Sequence, residues 1–261
     1  MTNYKILFLD IDGTVIKPDD TIEDSTKEAI KQVQGQGIEV FLATGRPLHE
    51  VLHIGKELGI DSFIGYNGAY ALYNNKEVFN RPMDGQVIRK FIAIAKENGH
   101  EIVLYTNGKN FVTSKKSQVV KRFAEKFHIK NYEVYTEESL DEILGLTLIN
   151  IKENEVSLYA EDNFHFSQVY IEGYTDSYDV IRDNVNKGVA VQKVIDLLNI
   201  SPEQAIAFGD GMNDKEMLSL VGEGFAMGNG HPDLFAYAKH KTTAVTESGI
   251  YNGLKSLGLI K

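Results

Sequence analysis

The 261-residue chain contains no cysteine. Disulfides, thiolate metal sites and cysteine nucleophiles are thereby excluded together, and the composition suits a reducing cytoplasm. Positive charge is also scarce: 27 lysines and arginines face 37 aspartates and glutamates, a formal net charge of -10. That balance argues against nucleic acid or an anionic membrane as the main partner. Long apolar runs are missing as well. Nothing in the chain approaches the roughly 20 apolar residues that span a bilayer. The opening "MTNYKILFLD" has no basic region ahead of a long apolar one, so no signal peptide is expected. The expectation is a soluble cytoplasmic protein, with no membrane and no nucleic acid among its partners and no obligatory protein partner inferred. What the chain does have is 43% hydrophobic and 25% charged residues, enough for a sizeable globular core.

Short apolar runs alternate with helical patterns over the first third. "KILFL" reads as a buried strand. "TIEDSTKEAIKQVQGQG" follows as a helix with Ile22, Ala29, Ile30 and Val33 on one face and Gly35 and Gly37 as its stop. "IEVFLAT" is a second buried strand and "PLHEVLHIGKELG" a second helix, opened by Pro47. The last third repeats the alternation with "GVAVQKVIDLLNI", "QAIAFGD", "NDKEMLSLVG" and "GFAM". Between them the texture changes: "EIVLYT", "LTLINIK", "SQVYIEGY" and "SYDVIRD" are aromatic and β-branched with interleaved polar residues, as in a half-exposed antiparallel sheet. The expected fold class is α/β, with a doubly wound, Rossmann-like parallel-sheet core from residues 1–81 and 183–261 and a second α+β domain inserted at 82–182.

Chemistry concentrates at strand ends. "DIDGT" sets Asp10 and Asp12 at the carboxyl end of the first strand, where open α/β sheets bind ligands. On an extended strand, residues i and i+2 face the same way. Two carboxylates so placed repel unless a cation intervenes, although a polar turn would use the same residues. "AFGDGMND" supplies Asp210, Asn213 and Asp214 after a second apolar strand; helix capping would use the same residues, but two separate strands ending in aspartate weigh against capping alone. Oxygen donors without cysteine or a nearby histidine suit a hard cation, with Mg²⁺ leading. "FLATGRP" offers the Thr44 hydroxyl and the Gly45 N–H to a phosphate oxygen, while Arg46 reads equally as a surface charge. Lys187 opens a helix, where a cation is unfavourable, so an anionic partner is implied unless the side chain is simply solvated.

With these motifs in hand, the chain resembles the haloacid dehalogenase superfamily of phosphatases. "DIDGT", "TG", a lysine and "GDGMND" stand in the family's order along the whole chain. "TGR", "GYNGA" at 65–69 and "NKGVAVQKV" make it similar to the Cof-type subfamily, with its cap inserted between the second and third motifs. The resemblance implies that Asp10 is the nucleophile and forms an aspartyl-phosphate, with Asp12 as general acid and then base. It implies Mg²⁺ on Asp10, the Asp12 carbonyl and Asp210, with Asp214 behind them, and a phosphoryl group held by Thr44, Gly45, Lys187, Asn213 and the Ile11 backbone. The substrates implied are small phosphorylated metabolites such as sugar phosphates, selected by the cap. Tyr105, Asn107, Lys109 and "FHFSQVYIEGY" are candidate contacts, each more simply read as structural. Phe235 and Tyr237 stand where relatives carry more charge.

Four other readings are weaker. A phosphomutase of the same superfamily would share every motif. A phospho-accepting receiver uses acidic residues, a threonine and a lysine on such a sheet, but in half this length and without a cap. A metabolite sensor would keep the site and lose turnover. A dinucleotide site is disfavoured, because "GEGFAMGNG" breaks the glycine pattern.

Overall fold

The apolar run at residues 6–9, bounded by polar residues, becomes a buried strand. In the computed structural model, which describes residues 4–127, 129, 131–169 and 176–261, β1 (Ile6–Asp10) is buried at all five positions. The first unit continues through α1 (Asp24–Gln34), β2 (Glu39–Ala43), α2 (Leu48–Leu58), β3 (Phe63–Gly65), β4 (Tyr70–Tyr73) and β5 (Lys76–Asn80). The second contains α3 (Gly85–Asn98), β6 (Glu101–Tyr105), β7 (Asn110–Val112), α4 (Gln118–Lys126), β8 (Tyr132–Val134), β9 (Gly145–Ile149), β10 (Phe164–Gln168) and β11 (Ser177–Arg182). The chain then returns to the first unit with α5 (Lys187–Leu197), β12 (Ala205–Gly209), α6 (Lys215–Leu220), β13 (Glu223–Ala226), β14 (His240–Lys241) and α7 (Gly249–Ser256). The two compact units are Met1–Asn80 with Asn186–Lys261, and Arg81–Val185.

The first unit is built on an eight-stranded sheet in the order β14-β13-β12-β1-β2-β3-β4-β5. All pairs from β14 to β3 are parallel. The sheet extends at the far edge through the antiparallel strands β4 and β5, which the alternation of apolar runs had not foreshadowed. β1 lies between β2, reached by the first crossover, and β12, reached much later, so the ends of β1, β2 and β12 border a topological switch point. Ile6, Phe8, Phe41 and Ala207 pack on Ala190, Val191 and Val194 of α5.

The second unit holds a six-stranded sheet in the order β10-β11-β9-β6-β7-β8, antiparallel throughout except for β7 with β8. Strand alternation assigns its two faces. Ile102 and Leu104 join Ile88, Phe91 and Ala95 of α3 in one cluster, while Val103 joins Val120 and Phe123 of α4 in another. Asp84 caps α3 by accepting from the Gln86 N–H at 2.8 Å. The structure is thus α/β, doubly wound, with an inserted α+β unit, and none of its described helices is long and apolar enough to cross a membrane.

Two local expectations change. Ile22 is not on the first helix but pairs with Ile16 in an isolated bridge before α1 begins at Asp24. Asp10 and Asp12 do not share a strand: β1 stops at Asp10, and the chain curls at once, with the Val15 and Ile16 N–H groups both donating to the Ile11 carbonyl. Part of "FHFSQVYIEGY" (170–174) lies outside the described residues.

Candidate active site

The parallel register brings the motifs to one edge. Asp10 pairs with Ala43, so Thr44 follows directly at the end of β2, and Leu9 pairs with Phe208, so Asp210 emerges beside Asp10. Oxygens of Asp10, Asp210 and Asp214 lie within 4.8 Å of one another. Lys187 is completely buried and donates to both Asp10 Oδ1 at 2.5 Å and Asp214 Oδ1 at 2.7 Å. It is no solvated surface lysine. Asn186 accepts from the Val189 N–H at 2.9 Å and so fixes the first turn of α5, which starts at this lysine.

The charges are strongly coupled. Burial, then the neighbouring Asp214, holds the Asp10 carboxyl well above the ordinary range, against the opposing pull of Lys187. Burial followed by Asp214 pushes Asp210 up to about 6. For Lys187, burial alone disfavours the ammonium, but Asp10 and Asp214 together outweigh it and keep it charged. Three carboxylates against one ammonium leave an acidic excess, which a hard cation would neutralise.

The oxygens divide by availability. Asp214 is saturated: Oδ1 takes Lys187, and Oδ2 takes the backbone N–H groups of Asp210 and Gly211, both at 3.0 Å. Asp210 Oδ1 accepts from the Thr14 hydroxyl at 3.1 Å. Asp210 Oδ2 takes only a long 3.4 Å contact from Asn229 Nδ2, and Asp10 brings an oxygen within 4.8 Å of Asp210, so the donor set fits a divalent cation, with Asp214 bracing it from behind. Gly13 has φ +80°, and a Cβ there would stand 2.2 Å from Asp210 Oδ2, which explains the glycine after the doublet. Its carbonyl accepts from Asn229 Nδ2 at 2.8 Å, and Asn229 Oδ1 in turn accepts from the Val245 N–H.

Asp12 stands apart. Its carboxylate is about half exposed and sits 3.4 Å from Arg46, outside the acidic cluster. Thr44 is buried, with its hydroxyl accepting from the Arg46 N–H at 3.0 Å. Asn213 donates through Nδ2 to Asn67 at 3.1 Å. Thr14, Asn67 and Asn229 had no assigned place in the sequence reading, although "DIDGT", "GYNGA" and "GEGFAMGNG" contained them. Of the candidate contacts in the second unit, Lys109 is paired with Glu133 at 2.7 Å, Tyr105 donates to Thr147, and Asn107 is exposed. Phe235 packs on the core of the first unit beneath Lys241, and Tyr237 is partly exposed.

A family model described as haloacid dehalogenase-like hydrolase matches residues 7–254. YkrA of Bacillus subtilis (strain 168), provisionally named a phosphatase, is 34% identical over 263 residues, covering 98% of this chain and 99% of that protein. The crystal structure of a protein from Geobacillus kaustophilus HTA426 is similar with a TM-score of 0.89 and 32% identity, covering 98% of this chain and 100% of that one. The subclass IIB sugar phosphatase BT4131 gives a TM-score of 0.79 at 27% identity, with coverage of 98% and 100%.

Proposed function

This chain belongs to the haloacid dehalogenase-like hydrolases and is a phosphatase of their Cof type, and we propose that it hydrolyses small phosphate monoesters through a phosphoaspartate on Asp10. The observation that carries this reading is the buried Lys187 bonded to Asp10 and Asp214 inside a three-carboxylate cluster. A carboxylate meeting a phosphate dianion at about 4 Å faces roughly 8 kcal/mol of repulsion at an effective dielectric near 20. Unrelieved, that would remove about six powers of ten in rate.

Asp10 attacks phosphorus as the leaving oxygen departs, and Asp12 donates a proton to that oxygen. Asp12, now a carboxylate, takes a proton from water, whose oxygen attacks the same phosphorus and frees Asp10. The exposed position of Asp12, outside the cluster and open to water, supports its part in the second step. Thr44, Gly45, Lys187, Asn213 and the Ile11 backbone hold the transferring oxygens. Asp10, the Asp12 carbonyl and Asp210 would hold Mg²⁺, which supplies two of the three positive charges set against the phosphoryl group. Sugar phosphates are the favoured substrates, on the likeness to a subclass IIB sugar phosphatase, with selection assigned to the second unit.

The test is turnover of p-nitrophenyl phosphate with Mg²⁺. Asp10→Asn is expected to lose at least about a thousandfold in kcat, and a phosphoryl adduct is expected on the Asp10 peptide after rapid acid quench of the wild type. Retained turnover in Asp10→Asn overturns the reading, and, with a sugar phosphate as substrate, isomerised sugar phosphate in place of inorganic phosphate would make the protein a mutase.

A further inference from the structure

Beyond the end of β3, three successive residues carry positive φ: Tyr66 at 55°, Asn67 at 52° and Gly68 at 100°. A tyrosine in that region is strained by on the order of 1 kcal/mol, so the turn must be imposed by its surroundings. Gly68 leaves no choice: a Cβ there would lie 2.3 Å from the carbonyl oxygen of Asn186, the residue before Lys187. The Tyr66 N–H donates to the Arg46 carbonyl at 3.3 Å, and its hydroxyl accepts from the Leu48 N–H at 3.2 Å. The Asn67 N–H donates to the Thr44 carbonyl at 3.1 Å. One turn therefore grips both the loop after β2 and the mouth of α5.

The Asn67 side chain reaches a third motif. Its Oδ1 accepts from Asn213 Nδ2 at 3.1 Å. The same carboxamide lies against Gly45, where a Cβ would come within 2.9 Å of Oδ1 and 3.1 Å of Nδ2. The room left by the missing side chain of Gly45 is thus used by Asn67. Asparagine meets both demands at once, since it tolerates left-handed backbone and carries a short neutral acceptor. Glycine would meet only the first. Aspartate would meet both and add a negative charge beside an incoming phosphate.

We propose that Asn67 is the positioning residue of the phosphate cradle, presetting Asn213 and the Gly45 loop before substrate arrives. The inference rests on the phosphatase reading, in which Gly45 and Asn213 hold the phosphoryl group. Groups fixed beforehand need no reorganisation in the transition state, so the loss falls on kcat more than on KM.

Four variants test this with p-nitrophenyl phosphate and Mg²⁺: Asn67→Gly, Asn67→Asp, Gly45→Ala and the double Gly45→Ala/Asn67→Gly. Asn67→Gly keeps the backbone geometry and is expected to melt close to the wild type while losing about tenfold or more in kcat, with KM moving less. Asn67→Asp, equally tolerant of the turn, is expected to lose more. Gly45→Ala is expected to be costly alone, because its methyl displaces the carboxamide, and to add little in the Asn67→Gly background. Wild-type kcat in Asn67→Gly would make the residue a mere turn former and overturn the proposal. Equal cost of Gly45→Ala in both backgrounds would overturn it too. If Asp10→Asn is inactive while Asn67→Gly is fully active, this inference falls and the phosphatase reading stands; if Asp10→Asn still turns over, the reading itself is at fault.

Discussion

Lys187 has no exposed surface, and its ammonium is shared between Asp10 and Asp214. Removing one member of a buried charge cluster leaves the others uncompensated, at a cost of about 3–5 kcal/mol. Lys187→Met should therefore destabilise the protein by that order at neutral pH. The sign with pH follows from Asp10, whose folded carboxyl is already held above its unfolded value by burial and by Asp214. Such a group contributes stability that is present at low pH and lost as the pH rises. Without Lys187 this loss deepens, so the deficit of Lys187→Met should shrink toward acid. Urea denaturation at pH 5 and pH 8 checks it; equal deficits at both would show that the lysine acts by packing alone. The sequence made Asp10, Asp210 and Lys187 legible because each breaks a local preference, a charge at the mouth of an apolar strand or a cation at a helix N-terminus. Asn67 and Asn229 break none. Asparagine beside glycine is what any turn would use, and only the fold shows whose oxygen each one holds.

At the scale of elements, the site depends on how closely α5 and α6 approach. A Cβ on Gly188 would stand 2.6 Å from Glu216 Cβ and 2.7 Å from the Glu216 carbonyl carbon. Because the obstacle includes backbone, no rotamer relieves it, and α6 would have to shift. That helix starts directly after Asp214, whose 2.7 Å bond to Lys187 spans the same junction. Gly188→Ala is expected to cost about 1–3 kcal/mol by overpacking and at least about tenfold in kcat by misplacement. Gly108→Ala, with open space at the Cβ position, serves as the neutral control. Equal melting temperatures and activities for the two variants would remove this account. Helix and strand periodicity made these elements legible, since their apolar faces follow sequence spacing. The antiparallel strands β4 and β5 escaped because "YALYNNKEVFN" is short, half-polar and stabilised by pairing with β3 rather than by its own pattern. The break between Asp10 and Asp12 was only half legible: Asp12 and Gly13 suit a turn as well as a strand end, and where the strand stops depends on its partners and on main-chain bonds to Ile11.

On the scale of the whole molecule, each unit has its own sheet and its own buried clusters, and the acidic cluster belongs entirely to the first. A cation that binds only the folded cluster stabilises by mass action, about 2.7 kcal/mol at a hundred times its Kd. Calorimetry is therefore expected to resolve two transitions, of which Mg²⁺ raises one and leaves the other in place. The pH dependence follows from Asp210, whose carboxyl burial and Asp214 push up to about 6. A carboxyl raised in the folded state contributes stability below its unfolded value and loses it as the pH climbs through about 6. Above that point the deprotonated site is both least stable alone and most ready for a cation, so the Mg²⁺-induced rise should be large at pH 7.5 and small at pH 5. Asp210→Asn should abolish most of the rise at either pH. A single transition that Mg²⁺ moves as a whole would show that the two units melt together. A rise unchanged by Asp210→Asn would place the cation somewhere other than between Asp10 and Asp210.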